Sequence, residues 1–341
     1  MVRQRLSFVF PVVLALALVP LAASAQGGLA SALDWLRSAQ LDDGGFSTGF
    51  APGSDIGATA DAVVAIASAG ESPAAWTVGG GSPLDYLERV ASDVASPGVA
   101  AKVVLAAVAA GEDPSDVGGV DMVARAAQAF EAEAASSVFD RALAVLALEA
   151  AGAELPAGAV DGLLAARLPD GSYAFDGSLV PGSGDSNTTA VVVQALLTAG
   201  AGVETLPSYD YFRRTQNPDG GWTYQKPSAF GETTDANSTA LVLQALLAGG
   251  QDLAAWGNPG DVLASLQQPS GAFAYSADVP GDNFLATVQT IPALAGVDLT
   301  DVPRLAPVAS EVPSAGAMLA AAVVLLIVVL VVAAVVGRDR R

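Results

Sequence analysis

The sequence predicts an all-α fold, an (α/α)6 toroid of six helical hairpins, followed by one C-terminal transmembrane helix. Three observations carry this prediction. Apolar stretches end in a small residue and a glycine at Gly70, Gly111, Gly152, Gly200, Gly250 and Gly296, 41 to 50 residues apart, a period that marks a stack of supersecondary units. Each glycine suits the left-handed position that ends a helix, and Pro73, Pro114, Pro156 and Pro207 follow four of them and stop the helix from continuing. The stretch before each glycine is apolar on nearly every side, as a core helix is, whereas the helix preceding it is amphipathic.

Taken in chain order, the amphipathic and apolar helices pair as 29–39 with 57–69, 83–93 with 99–110, and 120–131 with 138–151. The remaining pairs are 157–167 with 187–199, 208–215 with 237–249, and 259–267 with 284–295. No strand pattern competes with them. Six pairs is the number that closes an (α/α)6 barrel, with the apolar helices as an inner ring around a central cavity. An open solenoid of helical pairs is the alternative.

The two ends carry targeting features. Arg3 and Arg5 precede an apolar stretch from Phe8 to Leu21 and a small-x-small site at Ala23-Ser24-Ala25, so residues 1–25 read as a signal peptide. Residues 317–336 contain no charge and are long enough to span a bilayer. Arg338, Arg340 and Arg341 follow at once, which places the tail, 337–341, in the cytoplasm and the rest of the mature chain outside. The expected organisation is a toroid domain over 28–298, a linker over 299–316, and a single-pass anchor in the cell membrane. A sorting signal for a surface transpeptidase is the other reading of the tail, although no Leu-Pro-x-Thr-Gly motif precedes it.

Setting aside Arg3, Arg5, Arg338, Arg340, Arg341 and Asp339 leaves 10 basic against 34 acidic residues outside. Such a surface repels nucleic acid. The chain has neither Cys nor His, which excludes disulfides, thiolate nucleophiles, imidazole bases and ordinary zinc sites. No cofactor and no metal are expected.

A second repeat joins each of four hairpins: Gln40-Leu-Asp-Asp43-Gly-Gly-Phe46, Arg167-Leu-Pro-Asp170-Gly-Ser-Tyr173, Gln216-Asn-Pro-Asp219-Gly-Gly-Trp222 and Gln267-Gln-Pro-Ser270-Gly-Ala-Phe273. It resembles the Q-x-x-D-G-G-[FW] repeat of the squalene and hopene cyclases, protein prenyltransferase β-subunits and cobalamin-carrier toroids. The resemblance covers most of 28–296 and implies the toroid. It implies a structural role for the repeat, in which Asp-Gly makes the turn, the Gln amide bonds backbone near a helix end, and the aromatic ring covers it. The family's catalytic groups do not carry over. A prenyltransferase zinc site needs Cys and His, and the D-x-D-D run of class II cyclases is missing. The squalene cyclases are also double-barrel enzymes, whereas this ectodomain can build one barrel; a carboxylate-dependent carbohydrate-active enzyme or a divergent cyclase-like enzyme remains the alternative to a binding module.

Functional candidates come from the starts of the inner helices. Asp55, Asp185 and Asp235 each lie fifteen residues before their glycine and continue as Asp-x-x-x-Thr-Ala, while Asp282 lies fourteen before Gly296. Ser96 and Ser137 take this place in the second and third units. Each Asp reads as a helix N-cap or, alternatively, as part of a carboxylate ring at one barrel mouth. The aromatic pairs Tyr173 and Phe175, Trp222 and Tyr224, and Phe273 and Tyr275 are expected beside them, with Phe46 and Phe50. An acidic and aromatic mouth suits a small-molecule, glycan or protein ligand. A carboxylate pair about 5 to 10 Å apart would suit glycoside chemistry instead. Gln194 and Gln244 occupy matching places on two inner helices, either as lumen-facing ligand contacts or as satisfied buried amides. Asp61 and Lys102, nine residues before their glycines, are placed to pair and, with Arg141, read as a structural charge cluster at the mouth.

Overall fold

The computed structural model describes residues 19–131, 136–229 and 231–306, with side chains from residue 28 onward. Twelve α-helices alternate along them: α1 (Val19–Ser38), α2 (Ile56–Ser68), α3 (Pro83–Val90), α4 (Pro97–Ala110), α5 (Met122–Ala127), α6 (Val138–Ala150), α7 (Ala159–Ala165), α8 (Ser186–Thr198), α9 (Leu206–Thr215), α10 (Ala236–Ala248), α11 (Pro259–Ser265) and α12 (Phe284–Ala295). The even-numbered inner helices lie within two residues of the predicted spans. The odd-numbered outer ones differ more. The ends of α3 and α5 continue as single 3-10 turns, Ala91–Asp93 and Gln128–Phe130. α1 begins ten residues before its predicted start, so the expected signal-peptide boundary after Ala25 falls within it.

The ring closes. α2 packs on α4, α4 on α6, α6 on α8, α8 on α10, α10 on α12, and α12 returns to α2. Each outer helix lies against an inner one: α3 on α2, α5 on α4, α7 on α6, α9 on α8, α11 on α10 and α1 on α12. An open solenoid has no contact between its last and first units, so the barrel is the correct alternative.

Local chemistry fixes both ends of each inner helix. A side-chain oxygen of Asp55, Ser96, Ser137, Asp185, Asp235 or Asn283 accepts the amide three residues on, at 2.7 to 3.4 Å. All six terminal glycines have φ between 60° and 82°, where a side chain would be strained. Small residues then let the helices approach one another closely. At Gly98, on α4, a methyl group would come within 1.9 Å of Asp140 on α6.

The repeat turns tie unit to unit. Gln40 donates to the Gly44 and Trp76 carbonyls, and Gln216 to those of Gly220 and Trp256. Gln267 donates to Gly271 and, across the closure, to Gly28. Arg167 stands in for Gln in the fourth unit and donates to the Glu204 carbonyl at 2.9 Å. The structural role implied by the resemblance is the one observed.

Beyond α12 the chain crosses the ends of three inner helices. The Leu299 amide donates to Gln194 at 2.9 Å, Arg304 to the Ala150 carbonyl at 2.5 Å, and the Leu305 amide to the Ala109 carbonyl at 3.2 Å, with Val302 buried. Residues 299–306, read from sequence as the start of a linker, pack as a strap on the barrel. Residues 1–306 and 307–341 are separate units. The predicted span 317–336 lies outside the described residues, among which no helix is long and apolar enough to cross a membrane.

Candidate functional site

The mouth of the barrel is built on the starts of the inner helices. In four units a threonine in the first turn holds the aromatic residue of the repeat. Thr59, Thr189, Thr239 and Thr287 accept the amides of Phe46, Tyr173, Trp222 and Phe273 at 2.9 to 3.0 Å. This accounts for the Asp-x-x-x-Thr pattern. The rings it draws inward, Phe46, Tyr173, Trp222 and Phe273, are fully buried. Tyr173, Trp222 and Phe273 therefore belong to the core and not to a ligand surface, because the bond from Thr sets the ring against the hairpin.

Two residues further on, the direction reverses. Phe175, Tyr224 and Tyr275 are 50%, 43% and 37% exposed. Their carbonyls accept the first amide of the preceding unit's inner helix, from Val138, Ser186 and Ala236 at 2.7 to 2.9 Å. Each of these three rings thus sits at a junction between units, with its backbone fixed by the neighbour. Phe175 also meets Phe139 at 6.2 Å.

The four carboxylates are held in different ways. Asp185 and Asp235 are each 1% exposed and cap their own helices. Burial pushes both up to about 6, against which the amide bonds from Thr188 and Ser238 work. Oδ2 of Asp235 takes the Ser238 hydroxyl at 2.9 Å, whereas Oδ2 of Asp185 is buried without a hydrogen-bond partner. The Tyr224 phenol is raised to about 12, by desolvation first and by Asp185 second. Asp55 is an exposed cap. Asp282 is not a cap at all: Asn283 holds that position, and Asp282 receives the Ser270 hydroxyl at 2.6 Å and the Trp35 indole at 2.8 Å. Counting back from the glycines misplaced it because the cap of α12 stands thirteen residues before its glycine, against fifteen in the other units. Every one of the four is engaged at its own turn or helix start, and none stands free in a cleft.

A surface cleft lies between the fifth and sixth connections, with a volume of about 840 Å³ including its mouth. Tyr224 and Tyr275 line it with Thr223, Gln225, Thr233 and Asp278. Thr233 donates to Asp278 at 2.6 Å and ties the two connections together. No basic residue lines this cleft.

The lumen is a second cavity, of about 570 Å³ with its opening. The sixth residue of each inner helix points into it, giving in order around the ring Asp61, Lys102, Leu143, Val191, Leu241 and Gln289. One arc is therefore polar and the other apolar. Lys102 donates to Asp61 at 2.7 Å, and the two side chains keep 29% and 21% exposure. Gln289 accepts from Asn237 at 2.7 Å. Gln194 is satisfied by the Leu299 amide and the Ala190 carbonyl, whereas Gln244 lines the lumen with Oε1 unpaired. Arg141 makes no ion pair with the Asp61–Lys102 couple. Among the described residues no group of three acidic side chains gathers to hold a metal.

The Asp61–Lys102 pair expected at the mouth lies in the lumen, where one of the two readings put Gln244, but Gln289, Asn237 as its partner and Leu299 on the lumen floor were not among the expected residues. Aligning units on their N-caps instead of their glycines brings Gln289 into register with Asp61 and Lys102.

No family model and no curated protein matches the chain. Solved structures do. The type II terpene cyclase MstE from Scytonema is 14% identical, with a TM-score of 0.58 over 80% of this chain and 97% of that one. A glycosidase solved in complex with glucose is 14% identical, with a TM-score of 0.60 over 80% and 96%. Haptocorrin in complex with Cbi is 14% identical, with a TM-score of 0.55 over 84% and 70%. At these identities the likeness is one of fold, the α/α toroid.

Proposed function

We propose that the chain is an exported protein anchored by 317–336, whose toroid lies outside the membrane and binds a neutral polyhydroxylated ligand, such as a glycan, at the mouth. The observation that carries this reading is the cleft in which Tyr224 and Tyr275, each more than one-third exposed, share a floor with hydroxyl and amide groups. An aromatic face packs on the C–H side of a sugar ring while hydroxyls and amides pair with its edges. Asp278 and the acidic surface disfavour anionic ligands. Toroid neighbours with glucose or Cbi bound support ligand binding by such a fold in general. The export signals are those of the sequence, Arg3 and Arg5 before an apolar stretch and three arginines after 317–336.

The test uses the full chain in nanodiscs, titrated with maltotriose, cellotriose and chitotriose by saturation-transfer NMR. Tyr224→Ala and Tyr275→Ala should each weaken binding about tenfold, the loss of one stacking platform, without unfolding the protein, since the backbone bonds remain. The absence of saturable binding by about 10 mM, the weak limit of specific recognition, would remove the glycan reading. Topology is tested separately. The chain has no cysteine, so Ser92→Cys should react with a membrane-impermeant maleimide on intact cells.

A further inference from the structure

We infer that the lumen is a second binding site, distinct from the mouth cleft, for a small uncharged molecule with a hydrogen-bond-donating head and a short apolar body. The lumen is two-sided. Leu143, Val191 and Leu241 form one arc, and Leu299 of the strap adds an apolar floor. Across from them stand Gln289, Asp61 and Lys102. The last two neutralise each other at 2.7 Å. A charged ligand would have to break this couple or enter a low-dielectric space unpaired, and both are costly. An uncharged one meets neither penalty.

The requirement for a donor comes from one acceptor left unsatisfied. Gln244 is 2% exposed, its Nε2 donates to the Gln289 carbonyl at 3.3 Å, and its Oε1 has no partner. Gln244 lies on the α10 wall, next to the polar arc. Buried acceptors of this kind are ordinarily paired, and a hydroxyl or amide head supplies the missing hydrogen. The partial exposure of Asp61 and Lys102 shows that solvent reaches this level of the barrel.

The experiment compares four six-carbon probes on the full chain in nanodiscs, with empty nanodiscs subtracted: hexanamide, 2-hexanone, hexanoate and hexylammonium. Hexanamide should saturate and bind about tenfold tighter than the ketone, which only accepts, and than either ion, a margin typical of one buried hydrogen bond. Gln244→Leu, close in volume, should erase the preference for hexanamide over the ketone. Leu143→Phe, which narrows the apolar arc, should weaken every probe. Tyr224→Ala should change nothing here, so failure of the mouth reading leaves this one standing, and the reverse. No saturable hexanamide binding, the result for a lumen that holds only water, overturns the inference. So does a preference that survives in folded Gln244→Leu protein.

Discussion

Ser270 donates its hydroxyl to Asp282 at 2.6 Å, the reverse of the first unit, where Ser54 donates to Asp43 across the same turn, also at 2.6 Å. The fifth unit follows the first, with Thr234 donating to Asp219 at 2.8 Å. The fourth unit supplies the hydroxyl from inside the turn: Ser172 donates to Asp170 at 2.6 Å, and Gly184 opposite leaves the room, since a methyl there would lie 1.9 Å from Ser172 Oγ. One carboxylate and one hydroxyl close every repeat turn, and which strand of the loop carries which is free. The repeat's Asp is therefore absent from the sixth motif without loss of the turn.

This exchange predicts a coupling that a double-mutant cycle measures. Ser270→Ala and Asp282→Ala should each destabilise the protein in urea by about 1 kcal/mol, the worth of a partly exposed hydrogen bond to a charged group. Ser270→Asp combined with Asp282→Ser should recover most of the loss and leave only the Trp35 bond unmade. Additive effects with no recovery would show that the two side chains do not act as a pair.

The buried caps predict a pH dependence with a definite sign. Asp235 is raised from an ordinary 3.8 to about 6, so the folded protein holds this proton more tightly than the unfolded chain does. The stability it contributes is complete below about pH 4 and is lost as pH rises through 6. Asn caps a helix as well as Asp does and does not titrate. Asp235→Asn should therefore gain on the wild type between pH 4 and 7.5 by up to about 3 kcal/mol, the equivalent of two pH units. Urea titrations at the two pH values give the difference, and a gap that stays constant would contradict the raised value.

Ring closure rests in part on one amide. Gln267 bonds Gly28 from 239 residues away, whereas Gln216 makes the corresponding bond only to the next unit, at Trp256. Removing either side chain should cost about 2 kcal/mol, for two hydrogen bonds. The location of the damage should differ. Hydrogen exchange in Gln267→Ala should accelerate over residues 28–38, and in Gln216→Ala over 253–257. Equal protection of 28–38 in both variants would mean that the closure is held by the packing of α12 on α1 and α2 without this bond.

The sequence by itself determined the number of hairpins, the bounds of the inner helices and the turns between them. These are set by short-range chemistry: a left-handed glycine, an oxygen three residues ahead of an amide, and an apolar surface on every side. It also determined that Asp61 and Lys102 lie at one level, because a repeat fixes register. Only the tertiary structure decided what is buried. Tyr173 and Phe175 are two residues apart in one loop, yet one is fully covered and the other half exposed, because Thr189 and Val138 draw them to different neighbours. Likewise Asp55 and Asp235 share a motif, but the first is exposed and the second is buried. Burial depends on groups that arrive from distant units once the ring closes, and no local pattern encodes it.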